Sequence, residues 1–290
     1  MQKLFLITSI ILILSTYCLA QNDTVNGQDN RQRNDNIIIT ILYNNISAND
    51  SIIADHGFSC LIESGDHRCL FDAGRISNIF ITNVNKMRVD CSGIDYIFIS
   101  HVHDDHMGGL FDILDKCNKP ALCMPVSYPR QEGESFGDQA DREYETMLDQ
   151  LRPFVSELIQ HEALANFGNN FYTTGIIEKH SYEQSLIVPT SKGLVIITGC
   201  AHPGILEIVR YAKELMKQDI YFVMGGFHLI STDSTRIKTI AQELRKLTKY
   251  IGPCHCTGDK AREIFKDIFG EDYIDIKAGL KFKLGDTKLE

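Results

Sequence analysis

Three histidines and an aspartate that could bind metal ions fall within six residues, at His101, His103, Asp105 and His106. Imidazole and carboxylate groups are preferred ligands of zinc and of similar divalent cations. In an extended turn, residues two apart point to the same side. His101 and His103 can therefore share one ion, while Asp105 and His106 face a second.

Two adjacent ions can hold a hydroxide between them and polarise the bond that it attacks, because they lower the pKa of the water that they bind. The segment therefore predicts a hydrolytic site with two divalent metal ions as cofactors. Zinc is the favoured metal, and manganese or iron are the alternatives. Asp105 is the candidate catalytic residue, since it can orient the attacking group or relay its proton.

The elements on either side predict that this segment lies at the edge of a sheet. Residues 94–100 form a short apolar run that is typical of a buried strand, and it ends where the histidines begin. The pair Gly108 and Gly109 then opens a helix that reaches about Lys116. The metal-binding residues are thus expected at the carboxyl end of a strand.

The rest of the chain reads as strands first and as alternating strands and helices later. Strands are predicted at residues 37–43 and as two hairpins, 58–63 with 67–72 and 185–188 with 194–198. Helices are predicted at 204–217, 234–250 and 259–269, with strands at 220–224, directly before His255 and at 273–283. Residues 136–155 are charged and weakly helical, which favours a surface insertion or lid. Without an internal repeat, this order indicates one α/β domain with helices on both faces of a two-sheet core.

The amino-terminal residues predict export. Residues 1–20 combine Lys3 with an apolar run that is short for a membrane span, and they end in a small residue, as in a signal peptide cleaved near Ala20. An uncleaved anchor is the alternative. Residues 21–36 are rich in Asn, Gln and Asp and predict a flexible tether, so the catalytic domain is residues 37–290. We expect a periplasmic or secreted protein with no stable membrane span after cleavage.

The net charge limits the kinds of partner, and the cysteines raise the question of disulfide bonds. The net charge of −9 and the absence of a basic run argue against nucleic acid and leave a small-molecule substrate. The oligomeric state stays open. Eight of the nine cysteines follow the predicted cleavage point. Cys60 and Cys69 lie on neighbouring predicted strands and could pair, whereas Cys200, Cys254 and Cys256 lie among histidines, where metal or catalytic roles compete.

The pattern His-x-His-x-Asp-His after a strand, followed by Gly-Gly, resembles the signature of the metallo-β-lactamase superfamily. Further motifs resemble those of its dihydropterin-ribofuranosyl-aminobenzene phosphate synthase-like branch. These motifs are Asp55-His56-Gly57-Phe58-Ser59, Leu70-Phe71-Asp72-Ala73-Gly74, Glu183-Gln184-Ser185-Leu186, Thr198-Gly199-Cys200-Ala201-His202-Pro203-Gly204-Ile205, Gly225-Gly226-Phe227-His228-Leu229 and Cys254-His255-Cys256-Thr257-Gly258. The resemblance runs from about Ile37 to about Phe282 and implies an αββα sandwich with a metal pair at one edge.

The resemblance also assigns the remaining ligands. His202 would complete the site of His101 and His103, and His255 would complete that of Asp105 and His106. Cys200 stands roughly where many members place an Asp between the ions, so it is either a metal-binding thiolate or a small buried thiol. His228 would line the pocket, replace His255 on the second ion or donate to the substrate.

Several other positions have weaker expectations. Asp72 is expected to accept a hydrogen bond from a ligand histidine and fix its tautomer, although Asp-x-Gly is also ordinary turn chemistry. The other histidines are interpreted as surface or structural residues; they are His56, His67, His161 and His180. The branch usually has Gly, Tyr and Thr at the positions of Val102, Asp104 and Met107, and none of these departures removes a ligand.

The leading hypothesis is an exported hydrolase that uses a metal-bound hydroxide to cleave a phosphoester or an acyl or lactone-type bond. The alternative is a transferase like the pterin synthase of that branch, which would condense a phosphorylated sugar with a pterin. Export weakens the transferase, because pterin intermediates are cytosolic. A redox enzyme ranks lower because no appended flavin domain is present. A binding module without catalysis ranks lower because the set of metal ligands is complete.

Overall fold

The computed structural model of the protein describes residues 36–126, 139–177 and 182–284. The predicted signal peptide and nearly all of the predicted tether lie outside these residues. The described residues belong to one unit, residues 34–290. Within the described ranges, no helix combines the length and the apolar character that crossing a membrane would require.

Thirteen strands are present in the described residues. They are β1 (Ile37–Tyr43), β2 (Ser59–Ser64), β3 (His67–Phe71), β4 (Tyr96–Phe98), β5 (Ala121–Cys123), β6 (Glu157–Ile159), β7 (Ala165–Gly168), β8 (Phe171–Thr173), β9 (Leu186–Thr190), β10 (Gly193–Thr198), β11 (Ile220–Gly226), β12 (Thr248–Cys254) and β13 (Lys281–Leu284). One sheet has the order β13-β1-β2-β3-β4-β5-β6, and the other has the order β12-β11-β10-β9-β8-β7. Strands β3 to β6 run parallel, as do β10 to β12.

Seven α-helices lie in the same residues. They are α1 (Ser77–Lys86), α2 (Asp104–Met107), α3 (Leu110–Leu114), α4 (Gln139–Leu151), α5 (Ile205–Met216), α6 (Ser234–Leu247) and α7 (Asp259–Phe269). Apolar residues of α1, α3 and α4 pack on the first sheet, and those of α5, α6 and α7 pack on the second. A third apolar cluster fills the space between the sheets. The order helix, sheet, sheet, helix confirms the predicted αββα sandwich.

Alternation along the strands explains why both faces of the first sheet are covered. Ile37, Ile39 and Ile41 face the cluster between the sheets, whereas Leu61 and Leu70 face the helices. Successive side chains of a strand point to opposite faces, and here both sets are apolar. Such strands are stable only where both faces are buried, as in the interior layers of this sandwich.

Several predicted elements are confirmed, and others end elsewhere. Both hairpins are present, as β2 with β3 and β9 with β10. The helix predicted at 234–250 ends at Leu247, because Thr248 begins β12, where pairing with β11 outweighs helical spacing. The prediction of an extended turn from His101 to His106 is wrong in its second half, because helix α2 begins at Asp104. The last predicted strand, 273–283, is confined to β13.

The predicted insertion and disulfide can also be compared with the structure. Helix α4 packs Tyr144, Leu148 and Leu151 against the core, so this part of the insertion is anchored, while its role as a lid stays a prediction. Cys60 lies opposite Phe71, and Cys69 lies opposite Ile62. The eight cysteines in the described part of the chain are all free, so the pairing of Cys60 with Cys69 is absent.

Candidate functional site

The predicted site residues meet where five strands end. They follow β3 (Asp72), β4 (His101, His103, Asp105, His106), β10 (Cys200, His202), β11 (His228) and β12 (His255). Parallel neighbours deliver their carboxyl ends to the same edge of a sheet, so each loop brings its residue to that edge. The two sheets thus contribute to a single cluster.

Three imidazole rings are packed around His101. Its ring centroid lies 4.2 Å from that of His106, 4.5 Å from that of His103 and 4.9 Å from that of His202. The His103 and His202 rings are 5.2 Å apart, and His255 lies 5.0 Å from His106. The structure therefore brings together all five histidines that were predicted as metal ligands.

Asp105 is held by imidazole nitrogens on several sides. Its Oδ2 lies 3.2 Å from Nε2 of His255 and 3.6 Å from Nε2 of His106. Partial burial favours the neutral acid, but the neighbouring His255 ring and the charge of His106 hold the pKa of Asp105 well below its usual range. Asp105 is consequently a carboxylate in the site.

His56 corrects one sequence interpretation. It was interpreted as a surface or structural residue, yet its Nε2 lies 3.1 Å from Oδ2 of Asp105 and its ring lies 4.8 Å from that of His255. The side chain is half exposed, so it lines the entrance to the site. Its position within the Asp55-His56-Gly57 motif was the signal that the sequence offered.

Cys200 lies at the centre of the cluster. Its Sγ is 3.3 Å from Nε2 of His106 and 3.5 Å from Nε2 of His255. It belongs to three groups that could hold an ion, each with ligand atoms within 4.8 Å of one another: Asp105, His106, Cys200 and His255; His101, Cys200 and His202; and Cys200, His228 and Cys256. The thiol thus faces the ligand atoms of the site.

The alternatives for His228 are narrowed by its position. It is exposed, and its ring lies 4.6 Å from that of His202. It groups with Cys200 and Cys256, whereas His255 groups with Asp105 and His106. His228 therefore lines the rim and does not take the place of His255.

Asp72 makes the contact that the sequence predicted. Its Oδ2 accepts hydrogen bonds from Nδ1 of His106 at 2.6 Å and from the Ser100 hydroxyl at 2.8 Å, and its Oδ1 accepts one from the Ser100 backbone N–H. Burial favours the neutral His106 ring, but the Asp72 carboxylate outweighs it and raises the pKa of His106 to about 9. This bond turns Nε2 of His106 into the site.

The same network settles the tautomer of His101. The Ser100 hydroxyl gives its proton to Asp72, so its oxygen accepts one from Nδ1 of His101, 2.9 Å away. Nε2 of His101 is buried and has no hydrogen-bond partner. Burial lowers the pKa of this ring well below its usual value. Nε2 therefore carries a bare lone pair, which is what a metal ion needs.

Glu183 supports the loop after β10 and was missed by the sequence analysis as a site residue. It is completely buried, and it accepts hydrogen bonds from the backbone N–H groups of Cys200, Ala201 and His202 and from Nδ1 of His202 at 2.7 Å. Burial opposes its charge, but the neighbouring His101 ring and these hydrogen bonds hold its pKa below the usual range. The sign of this role in the sequence was the position of a charged residue directly before the apolar strand β9.

Two asparagines after β1 support the loop after β12. Oδ1 of Asn45 lies 2.9 Å from Nδ1 of His255, and Oδ1 of Asn44 accepts a hydrogen bond from the His255 backbone N–H. Their spacing in the sequence could not predict this role, because Asn44 precedes His255 by 211 residues and Asn45 precedes it by 210. Each of His106, His202 and His255 thus has its Nδ1 side occupied and its Nε2 side directed inward.

Strained backbone is concentrated in these loops. Asp72, Ala201, His228 and His255 adopt the left-handed conformation, with φ of 52°, 60°, 51° and 48°. Residues other than glycine pay about 1 to 3 kcal/mol for such geometry, and they keep it where the surroundings enforce it. These loops therefore keep a strained backbone conformation, and in that conformation their side chains lie in the site.

The other predicted positions lie away from the cluster or outside the described residues. Asp104 is exposed and pairs with Arg75 at 3.5 Å. His67 lies at the opposite end of β3 from Asp72, and His161 follows the edge strand β6. His180 lies outside the described residues.

The comparisons with known proteins agree with this geometry. Residues 53–205 match the model of the metallo-beta-lactamase superfamily. The 7,8-dihydropterin-6-methyl-4-(beta-D-ribofuranosyl)-aminobenzene-5'-phosphate synthase of Methanocaldococcus jannaschii is 31% identical over 84% of this chain and 96% of its own length.

Two solved structures are also similar. A metal-dependent hydrolase of the beta-lactamase superfamily has a TM-score of 0.68 and 29% identity, and the match covers 86% of this chain and 100% of that chain. A metallo-beta-lactamase fold protein from Bacillus subtilis, with a TM-score of 0.57 and 13% identity over 86% of this chain and 100% of its own, shares the fold.

Proposed function

Because the chain belongs to the metallo-beta-lactamase superfamily, in the branch of the dihydropterin-ribofuranosyl-aminobenzene phosphate synthase-like proteins, we propose that it is a hydrolase that uses two divalent metal ions, with zinc favoured. Its substrate carries a phosphoester or an acyl or lactone-type bond. The observation that carries the proposal is the buried, unpartnered Nε2 of His101 among the neighbouring imidazoles. The similar metal-dependent hydrolase supports the same reaction class.

We assign His101, His103 and His202 to one ion and Asp105, His106 and His255 to the other. The ligand atoms of Cys200, His101 and His202 form one group that could hold an ion, and those of Cys200, Asp105, His106 and His255 form another. The His103 ring lies against those of His101 and His202. When bound, such ions polarise the bond to be cleaved and lower the pKa of a water molecule.

The chain's own groups fix the geometry of the reaction. Asp72, Glu183 and Asn45 orient His106, His202 and His255 through their Nδ1 atoms. We assign to the Asp105 carboxylate the role of orienting the attacking group or receiving its proton.

A cavity of about 380 Å³ adjoins His255 and offers room for a small substrate. Leu229 and Ile230 give its lining an apolar part. Its charged residues are two cations, Lys260 and Arg262, and one carboxylate, Asp259. This mixture suits a substrate that has both an apolar and an anionic portion.

A second candidate is a transferase that condenses a phosphorylated sugar with a pterin. The identity to the Methanocaldococcus jannaschii synthase, which extends over most of both chains, favours it. Export remains part of our proposal for the hydrolase, on the evidence of residues 1–20 alone. The amino-terminal sequence of protein recovered from outside the cytoplasm tests it, with Gln21 as the expected first residue.

The test of function combines metal analysis with a matched pair of variants. Metal content per chain is measured by plasma mass spectrometry, and phosphodiester, phosphomonoester and lactone substrates are assayed beside the sugar-pterin condensation. His103→Ala should lose metal and hydrolysis. His67→Ala removes an exposed histidine at the other end of β3 and should retain both.

Each outcome separates the candidates. About two ions per chain with hydrolysis that depends on His103 supports the hydrolase. Condensation without hydrolysis supports the transferase. Hydrolysis that is indifferent to His103 contradicts the hydrolase, and protein that binds no metal contradicts both candidates.

A further inference from the structure

We propose a third metal site, formed by Cys200, His228 and Cys256, that binds a soft divalent cation such as Zn²⁺ or Cd²⁺ beside the two sites of the proposed hydrolase. The three ligand atoms lie within 4.8 Å of one another. Two thiolates and one imidazole are three of the four ligands of a tetrahedral zinc site, and water can take the fourth position.

The topology brings these residues together. Strands β10, β11 and β12 are parallel neighbours, with Thr198 opposite Gly225 and Gly226 opposite Cys254. Each candidate ligand follows the last residue of its strand by two positions: Cys200 after Thr198, His228 after Gly226 and Cys256 after Cys254. Consecutive strand ends therefore present one ligand each to a common point.

Close backbone packing keeps the thiols in reach of one another. The Cys256 thiol donates to the carbonyl oxygen of Cys200 at 3.6 Å. A Cβ atom added at Gly226 would lie 2.6 Å from Sγ of Cys256 and 3.2 Å from Cα of Cys200, so only glycine leaves room at this position. Thr257 accepts a hydrogen bond from the Phe227 N–H and ties the loops after β11 and β12 together.

The ligand chemistry distinguishes this site from the other two. Both thiols are buried, with Cys200 4% and Cys256 8% exposed, while His228 is exposed at the rim. The rim histidine gives an ion access from solvent. Thiolates favour softer cations than the imidazole and carboxylate groups around Asp105 do. Neither Cys256 nor His228 has a part in the proposed hydrolytic mechanism.

Cobalt substitution tests the site, because a thiolate bound to Co²⁺ gives a near-ultraviolet charge-transfer band that imidazole and carboxylate ligands do not give. The purified full chain is depleted of metal and titrated with Co²⁺, and the band and the bound Co²⁺ per chain are measured. Cys256→Ser should bind one fewer Co²⁺ per chain and should lower the band intensity by about half or more, since the Cys256 thiolate and the ion that it shares with Cys200 are both lost. His228→Ala, an exposed change that leaves the core intact, should weaken the binding of that last Co²⁺ by about tenfold or more.

Cys117→Ser is the control, because it removes a partly buried thiol that packs with the helices of the first sheet. Its titration should match that of the unchanged protein. The proposal is wrong if Cys256→Ser and His228→Ala both give the band and the Co²⁺ content of the unchanged protein. The readout is independent of hydrolysis, so the result stands whatever substrate the enzyme uses.

Discussion

Replacing Glu183 by glutamine tests how the loop after β10 is held in place. In the structure the Glu183 carboxylate accepts four hydrogen bonds, two on each oxygen, from three backbone N–H groups and from Nδ1 of His202. An amide keeps one oxygen and turns its NH2 group toward two donors. Glu183→Gln therefore loses two hydrogen bonds to a charged acceptor.

The magnitude follows from those two bonds. A hydrogen bond to a charged group contributes about 1.5 to 3 kcal/mol, so the free energy of unfolding should fall by about 3 to 6 kcal/mol. That is a large part of the 5 to 15 kcal/mol typical of a domain. Because His202 also loses its orienting partner, metal affinity should fall about 10- to 100-fold.

Urea unfolding of metal-free protein measures the first effect, and chelator competition measures the second. Glu157→Gln makes the same change on an exposed carboxylate of β6 and should alter the unfolding free energy by less than about 0.5 kcal/mol. A Glu183→Gln protein as stable as this control would refute the argument that buried hydrogen bonds to Glu183 hold the loop.

Two further predictions concern single contacts. Asp72→Asn replaces the carboxylate that accepts a hydrogen bond from Nδ1 of His106 by a neutral amide. Chelator competition should show metal affinity about 10- to 100-fold lower, and an unchanged affinity would count against the orienting role of Asp72. Gly226→Ala places a Cβ atom 2.4 Å from the carbonyl oxygen of Gly199 and 2.6 Å from Sγ of Cys256. This overpacking should cost about 1 to 3 kcal/mol of unfolding free energy in a urea titration, and an alanine variant of full stability would contradict the packing described for these loops.

The metal-binding segment and the sandwich were predictable because they depend on local pattern. His101 to His106 follow an apolar run, and the hairpin of β2 and β3 follows from the turn residues Ser64-Gly65-Asp66 between two strand-like runs. The residues at which helices and strands end were less predictable. Helical spacing continues past Leu247, but Thr248 pairs with Ile220 of β11, and that contact is between distant parts of the chain.

The supporting residues were missed for the same reason. His56, Asn45 and Glu183 act on Asp105, His255 and His202, and the first two of these pairs are separated by 49 and 210 residues. A glutamate or asparagine beside an apolar strand is compatible with an ordinary turn, and only the fold shows which histidine it faces. The closeness of Cys256 to Cys200 and His228 was not predictable from local pattern either, because it depends on the order of β10, β11 and β12.

The pairing of β13 with β1 has a consequence for the order in which the protein folds. Ile37 lies opposite Leu284, so the second strand of the first sheet gains its outer neighbour from residues about 240 positions later in the chain. Closing a loop of that length costs about 5 kcal/mol of chain entropy, and contacts at such separation form slowly. During synthesis on the ribosome, β1 to β6 are made long before β13, and the edge of β1 stays open to other strands until then. We therefore expect the completion of this sheet to be a late step in folding.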